Sequence, residues 1–234
     1  MLPVIFLLGR SASGKGTIGG RLAANFDLAH ISIGDTFRAL RDEVSRPIFG
    51  LPGFINEYIL FGLRIPDIRL AHFKPVPAIL LVHNFMVTGE GAVDAMAAML
   101  REKLAEMAAS NSPPRAAIID GTESAFRDEE DNAAEVYQKF APTFSGLTIL
   151  VDCPREVSEV RYLARARPGD DSKIQFNARM KAWEELGLMV LDFLKTQGPV
   201  VTCSNDGSKT VDEAYTDLVS DLQAEPIWQN IMQG

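Results

Sequence analysis

The chain has 234 residues, 47% of them apolar and 23% charged, which fits one soluble globular domain or one core domain with smaller inserted lobes. Its formal net charge of −8 disfavours a general role in binding nucleic acid or an anionic membrane, so any anion site must be built locally. The two cysteines, Cys153 and Cys203, have no metal-ligand or redox spacing, and they predict reduced, buried thiols in a cytoplasmic protein.

Short apolar runs alternate with helical patterns from one end of the chain to the other. The first run, Leu2 to Leu8, is too short to span a bilayer and leads directly into a glycine-rich loop. This alternation predicts an α/β fold in which a parallel five-stranded sheet is sandwiched by helices. The predicted strands are Pro3 to Leu8, Ala29 to Ser32, Ala116 to Asp120, Leu147 to Asp152 and Pro199 to Ser204.

Helical periodicity follows most of the predicted strands. Asp35 is a natural N-cap, Pro154 suits a first helical position, and Thr210 with Glu213 forms a capping box. The predicted helices are Lys15 to Phe26, Thr36 to Val44, Val93 to Ala109, Asp128 to Phe140, Pro154 to Ala166, Ser172 to about Lys195 and one that starts at Thr210.

The segment from Ser45 to Val87 breaks this rhythm. It is rich in aromatic and aliphatic residues and contains Pro47, Pro52, Pro66, Pro75 and Pro77. We therefore expect residues 45–115 to form an inserted, largely helical lobe, and residues 1–44 and 116–234 to form the core domain. The apolar lobe could bind an acceptor molecule or form an interface between copies of the chain.

A glycine-rich motif stands between the first strand and the first helix. Residues 9–15 match G-x-x-x-x-G-K, a pattern whose backbone N–H groups cradle phosphates while Lys15 adds a cation at the outer phosphates. The position after this lysine is Gly16, and a hydroxyl follows only at Thr17, so Mg²⁺ loses its usual direct loop ligand. The predicted ATP-binding residues of the loop are Gly9, Ser11, Ala12, Ser13, Gly14, Lys15, Gly16 and Thr17.

The shifted motif Gly14-Lys15-Gly16-Thr17 resembles the loop of adenylate kinase and the other nucleoside monophosphate kinases. In that family an S-T-G-D-x-x-R motif helps to bind the acceptor nucleotide, and residues 32–38 here read SIGDTFR. The resemblance implies a P-loop kinase fold with Ser32, Ile33 and Arg38 in the acceptor site, the arginine holding the acceptor phosphate.

The third predicted strand ends in a sequence similar to the family's D-G-F-P-R-T element. The family's aspartate organises water around Mg²⁺, which implies this role for Asp120, together with Thr17. Residues 122–125 depart from the pattern and lack its phosphate-binding arginine. Arg127, three positions on, is a candidate substitute in the acceptor site.

A cluster of arginines near residue 165 resembles the part of the family in which arginines and a mobile lid enclose the phosphates. The resemblance implies a short lid at about residues 165–171 and catalytic roles for Lys15, Arg161, Arg165 and Arg179. Arg161 would also contact ATP. Arg167 and Asp170 would lie on the acceptor side, and Lys209 falls in a C-terminal segment that borders the adenine of ATP in the family.

These features predict an enzyme that uses ATP and Mg²⁺ to phosphorylate a small acceptor, most simply a nucleoside monophosphate. A kinase of another small metabolite, with Asp35 as proton acceptor, is one alternative. A nucleotide-binding regulatory or scaffold protein with a degenerate acceptor site is another. Ile33 and Asp128 both depart from the adenylate kinase pattern, which predicts that AMP is not the preferred acceptor. The histidines His30, His72 and His83 form no catalytic pattern, and we expect structural roles for them.

Overall fold

Five parallel strands form one sheet in the order β2-β3-β1-β4-β5. The structure is a computed structural model, and it describes residues 2–36, 92–122, 144–165 and 172–233. The strands are β1 (Val4–Leu8), β2 (Ala29–Ser32), β3 (Ala117–Asp120), β4 (Phe144–Asp152) and β5 (Val200–Ser204). The predicted parallel five-stranded sheet is therefore confirmed.

The fourth strand begins three residues before the predicted start at Leu147. The pairing of β1 with β4 shifts register between Val4 and Phe6, which lie opposite Phe144 and Thr148 respectively. Ser145 stabilises this irregularity by donating a hydrogen bond to the Val4 carbonyl at 2.7 Å. A polar Ser-Gly pair in the strand interrupts the apolar run, so the sequence pattern does not reveal these residues.

Helices cover both faces of the sheet. They are α1 (Lys15–Phe26), α2 (Ala92–Ala108), α3 (Arg155–Ala164), α4 (Lys173–Ala182), α5 (Leu188–Gln197), α6 (Val211–Ala224) and α7 (Pro226–Gln233). The predicted helix from Ser172 to about Lys195 is interrupted by a π-helical turn, Trp183–Gly187, which joins α4 to α5. Helical conformation also begins at Ile33 and continues to residue 36.

The caps of these helices follow the predictions in part. Thr210 and Glu213 form the predicted capping box at the start of α6. Pro154 lies at the N-cap of α3, one position before the predicted one. The helix that begins at Ile33 is capped by Ser32, whose Oγ accepts from the backbone N–H of Asp35 at 3.3 Å. The prediction that Asp35 is the N-cap is therefore wrong.

Two apolar cores lie on opposite faces of the sheet. Because strand side chains alternate, Phe6 and Leu8 face one core, with residues of α2 and α5, and Ile5 and Leu7 face the other, with residues of α1, α6 and α7. The last helix was not predicted, and its Trp228 packs edge-on against Phe26 with ring centroids 5.0 Å apart. No helix among the described residues is long and apolar enough to cross a membrane.

Several predicted elements fall outside the described residues. They are the helix from Thr36 to Val44 beyond its first residue, the lobe up to residue 91, the helix from Asp128 to Phe140 and most of the proposed lid. The division of the chain into core and lobe therefore stays a prediction.

Candidate active site

The topology brings the glycine-rich loop, Asp120 and the ends of β4 and β5 to one edge of the sheet. All five strands are parallel, so their carboxyl ends meet there. Strand β1 lies at the centre of the sheet, with β3 on one side of it and β4 on the other, so the strand order changes direction at β1. In open α/β sheets, ligands bind at such a switch point.

The glycine-rich loop wraps back on itself between β1 and α1. Gly9 and Gly14 have φ angles of 146° and 107°, a region that side chains rarely adopt. A Cβ at Gly9 would lie 2.5 Å from the Val151 carbonyl oxygen, so this position tolerates only glycine. The loop leads into the first turn of α1, whose N–H groups have no partner within the helix and can bind an anion.

Lys15 lies folded over this loop. Its ammonium donates hydrogen bonds to the carbonyl of Gly9 and, at 3.1 Å, to that of Arg10. The positive charge is thereby held beside the backbone groups that would receive phosphates. Gly16 and Thr17 are both exposed on the first turn of α1.

Asp120 ends β3 next to this loop, with Leu7 opposite it in the sheet register. The carboxylate is nearly buried, with 7% of the residue exposed, and contacts two side chains of β2. His30 Nε2 lies 3.0 Å from Oδ2, and Ser32 Oγ donates to Oδ1 at 3.4 Å. Sequence reasoning treated His30 as structural, because only the register of β2 and β3 shows that it faces Asp120.

The described residues hold no group of three or more His, Cys, Asp or Glu side chains arranged to bind a metal ion. Mg²⁺ needs no such cage, because it keeps several waters and binds through one or two carboxylates and the substrate phosphates. A single carboxylate beside a phosphate loop fits this chemistry. The position of Asp120 therefore fits a carboxylate that binds the water shell of Mg²⁺.

Only some of the residues predicted to bind the acceptor lie in the described part of the chain. The Ser32 hydroxyl is engaged inside the protein, with Asp120 and with the Asp35 backbone. The Ile33 side chain is completely buried in the core, which argues against a direct contact with an acceptor base. The other four predicted residues, Arg38, Arg127, Arg167 and Asp170, lie outside the described residues.

Arg161 reaches from α3 to the end of β5. Its two terminal nitrogens donate to the backbone oxygen and to Oδ1 of Asn205, at 3.1 and 3.2 Å. The same guanidinium lies 3.5 Å from the sulfur of Cys153. Asn205 was missed by the sequence analysis, although it immediately precedes the segment that includes Lys209.

Two more of the predicted arginines converge on one aromatic ring. The guanidinium carbons of Arg165 and Arg179 lie 4.1 and 5.8 Å from the ring centroid of Tyr162. This ring is completely buried, and it forms a small apolar cluster with Phe176 and Met180. Ala12 of the glycine-rich loop packs against that cluster, so the cluster links α3 and α4 to the loop.

Lys209 has a different environment from the arginines. Its exposed ammonium pairs with Asp217 of α6, and this hydrogen bond raises the pKa of the lysine. The role of Lys209 near the adenine of ATP stays a prediction.

No protein-family model matches the chain. It is 26% identical over 230 residues to a protein from Gallus gallus named UMP-CMP kinase, with 95% of this chain and 97% of the relative covered. The Homo sapiens protein of the same name is 24% identical with the same coverage. A protein from Oryza sativa subsp. japonica named UMP-CMP kinase 2 is 27% identical over 207 residues, which cover 88% of this chain and 69% of that protein.

Among solved structures, protein TT1252 from Thermus thermophilus is similar, with a TM-score of 0.50 and 16% identity over 96% of this chain and 98% of that one. This likeness concerns the fold alone. The relatives that cover nearly the whole chain agree with the resemblance drawn from the loop, the Asp120 motif and the arginine cluster. Over nearly its whole length, the chain is therefore similar, at low identity, to nucleoside monophosphate kinases.

Proposed function

We propose that this protein is an ATP-dependent nucleoside monophosphate kinase. The observation that carries the proposal is that four cationic side chains either belong to the glycine-rich loop or are linked to it through Asn205 or Tyr162, in a protein of net charge −8. They are Lys15, Arg161, Arg165 and Arg179. Such a concentration of positive charge at the loop suits the several negative charges of two nucleotides.

In the proposed reaction, an oxygen of the acceptor's phosphate attacks the γ-phosphorus of ATP, and the bond from that phosphorus to the β-bridging oxygen breaks. The products are ADP and a nucleoside diphosphate. No side chain has to act as nucleophile, because the acceptor supplies one. Charge spreads over the oxygens of the phosphoryl group during transfer, and the arginines stabilise that charge.

The loop residues and Asp120 have separate tasks in this proposal. The backbone N–H groups of the loop and Lys15 bind the ATP phosphates. Mg²⁺, when bound, supplies a cation that neutralises phosphate charge, and Asp120 with Thr17 would hold its water shell. His30 and Ser32 orient the Asp120 carboxylate through hydrogen bonds to its two oxygens.

For the acceptor, we infer a pyrimidine nucleoside monophosphate in preference to AMP. The supporting observations are the names of the relatives, which refer to UMP and CMP, and the departures from the adenylate kinase pattern at Ile33 and Asp128. The burial of Ile33 leaves Asp128, which lies outside the described residues, as the more informative of the two positions.

A steady-state assay tests both parts of the proposal. ADP release from ATP is measured with AMP, GMP, CMP, UMP and dTMP as acceptors, for the wild type and for Lys15→Ala. We expect the highest kcat/KM with CMP or UMP, and loss of turnover in a Lys15→Ala variant that keeps its circular dichroism spectrum.

Different outcomes would reject different parts. A highest specificity constant for AMP contradicts the acceptor assignment. Normal turnover in folded Lys15→Ala contradicts the catalytic role of the loop. ATP binding without turnover on any acceptor supports the binding-only alternative instead.

A further inference from the structure

A buried asparagine joins the glycine-rich loop to the arginine-bearing helix. Asn205 follows β5, and only 3% of it is exposed. Its Nδ2 donates to the Ser13 carbonyl at 2.7 Å, and its Oδ1 and backbone oxygen accept from the Arg161 guanidinium at 3.2 and 3.1 Å. Its own N–H donates to the Asp152 carbonyl at 2.8 Å, which anchors it to the end of β4.

The orientation of this amide follows from its partners. A carbonyl oxygen lies on one side of it, and a permanently charged guanidinium lies on the other. If the amide were turned over, its oxygen would face the Ser13 carbonyl and its NH₂ group would face the Arg161 N–H groups. Both contacts would then be repulsive, so the network permits one orientation only.

We propose that Asn205 is a positioning residue that fixes the glycine-rich loop and the Arg161 side chain relative to each other; this inference rests on the proposed kinase function. It touches no reacting atom and acts through its two neighbours. Asn205, Arg161 and Ser13 belong to no common sequence motif, and only the fold brings them together.

The effect on the loop follows from peptide geometry. In a planar trans peptide the carbonyl and the following N–H point in opposite directions, so holding the Ser13 carbonyl also fixes the direction of the Gly14 N–H. The contact is tight, because a Cβ at Gly14 would lie 2.4 Å from the Asn205 amide nitrogen. The loop N–H that follows Ser13 is thereby aimed away from Asn205.

The effect on Arg161 follows from its two acceptors. A guanidinium held at two nitrogens by one residue has little freedom to turn. The Ser13 carbonyl and the Arg161 guanidinium are therefore both held by Asn205. Misplacement of catalytic groups by about 1 Å can cost about 100-fold in rate, so their relative position matters for phosphoryl transfer.

The test uses Asn205→Ala, Arg161→Ala and the double variant, with ATP dissociation constants from calorimetry and kcat from the acceptor assay. Asn205→Ala is expected to weaken ATP binding and to lower kcat, each by about tenfold or more. In the Arg161→Ala background, the further loss of kcat is expected to be clearly smaller, because part of the effect passes through that arginine.

Asn25→Ala is the matched control. It removes an exposed hydrogen bond, from Asn25 to the Tyr215 hydroxyl, at the far end of α1. Its ATP affinity and kcat should equal those of the wild type. Equal values for folded Asn205→Ala would overturn the proposal, and so would effects of the two substitutions on kcat that multiply fully in the double variant.

A second variant covers the case in which Asn205→Ala does not fold. Asn205→Asp keeps the volume and an acceptor for Arg161, but it sets a carboxylate oxygen against the Ser13 carbonyl. We expect weaker ATP binding with a smaller change in kcat. Wild-type ATP affinity in this variant overturns the proposed link to the loop. If the wild type binds ATP but phosphorylates no acceptor, the kinase proposal fails, while the binding data still decide on the link between Asn205 and the loop.

Discussion

At the scale of single residues, Gly14 and Gly16 of the glycine-rich loop have different neighbours. Gly14 has a φ of 107° and would place a Cβ 2.4 Å from Asn205, whereas a Cβ at Gly16 would meet nothing within 4 Å. A substitution at Gly14 must therefore distort the loop or displace the asparagine. The same substitution at Gly16 adds a methyl group to an exposed helical position.

We predict that Gly14→Ala destabilises the fold by about 1–3 kcal/mol and weakens ATP binding. Gly16→Ala keeps the backbone N–H of the loop, and it should be neutral or stabilising by up to about 1 kcal/mol, because alanine favours the helix. Urea unfolding and calorimetric titration of both variants provide the measurement. Equal behaviour of the two variants would contradict the geometry of the loop.

Both cysteine thiols are buried, and this gives a second prediction for single residues. Burial, with a smaller effect of the Asp217 charge, raises the pKa of Cys203 from 9.0 to about 11. Neither thiol should react with a thiol-specific disulfide reagent at pH 8 until the protein is unfolded, when two thiols per chain should react. Rapid reaction of the native protein would contradict this.

The sign of the pH effect follows from the same pKa. The unfolded chain ionises this thiol near pH 9, whereas the folded protein does so only near pH 11. Ionisation of Cys203 therefore lowers the free energy of unfolding as the pH rises from about 9 to about 11, and this decrease is complete above that range. Cys203→Ser should reduce the slope of unfolding free energy against pH between these values.

At the scale of elements, helices α3 and α4 bring two arginines to one buried tyrosine. Each contact between a guanidinium and an aromatic ring is worth about 0.5–2 kcal/mol. The Tyr162 ring thus stabilises the positions of Arg165 and Arg179, and its cluster packs against Ala12 of the glycine-rich loop. A substitution of Tyr162 can therefore displace both arginines without removing their charge.

We predict that Tyr162→Leu lowers kcat about tenfold and changes the ATP dissociation constant little, because the arginines act on charge that develops during transfer. Arg165→Ala and Arg179→Ala should show the same pattern more strongly. Tyr162→Phe keeps the ring and is the control. If Phe and Leu gave equal losses of kcat, the aromatic contact would not be the cause.

The sequence predicted the elements that have local signals. Capping at Thr210 and the apolar periods of α1 and α6 depend on residues a few positions apart, and the structure confirms these helices. The π-helical turn at Trp183–Gly187 has no such signal, because the apolar spacing continues through it. The Asp120–His30 and Arg161–Asn205 contacts depend on strand register and packing over 90 and 44 residues, so local patterns could not reveal them.

At the scale of the whole molecule, the candidate site draws on most of the described core. The loop follows β1, Asp120 ends β3, Arg161 belongs to α3, and Asn205 follows β5. An unfolded chain has no such site. ATP should therefore bind the folded state alone and stabilise it by mass action.

We predict that ATP at 100 times its dissociation constant raises the free energy of unfolding by about 2.7 kcal/mol. Urea unfolding curves with and without nucleotide measure this, provided that unfolding is two-state. Lys15→Ala at the same ATP concentration should gain much less. A wild-type increase far below the predicted value would show that ATP also binds the unfolded chain.

The central position of β1 in the sheet also affects how the protein folds as it is synthesised. This strand leaves the ribosome before its partners β3 and β4, which lie more than a hundred residues later in the chain, and at ordinary translation rates the delay is on the order of ten seconds. During that interval, five consecutive apolar residues, Val4–Leu8, have no partner strand. Such exposed strands aggregate readily, so the nascent chain should depend on chaperones until β4 emerges, and the loop should bind ATP only after β5 and Asn205 have been made.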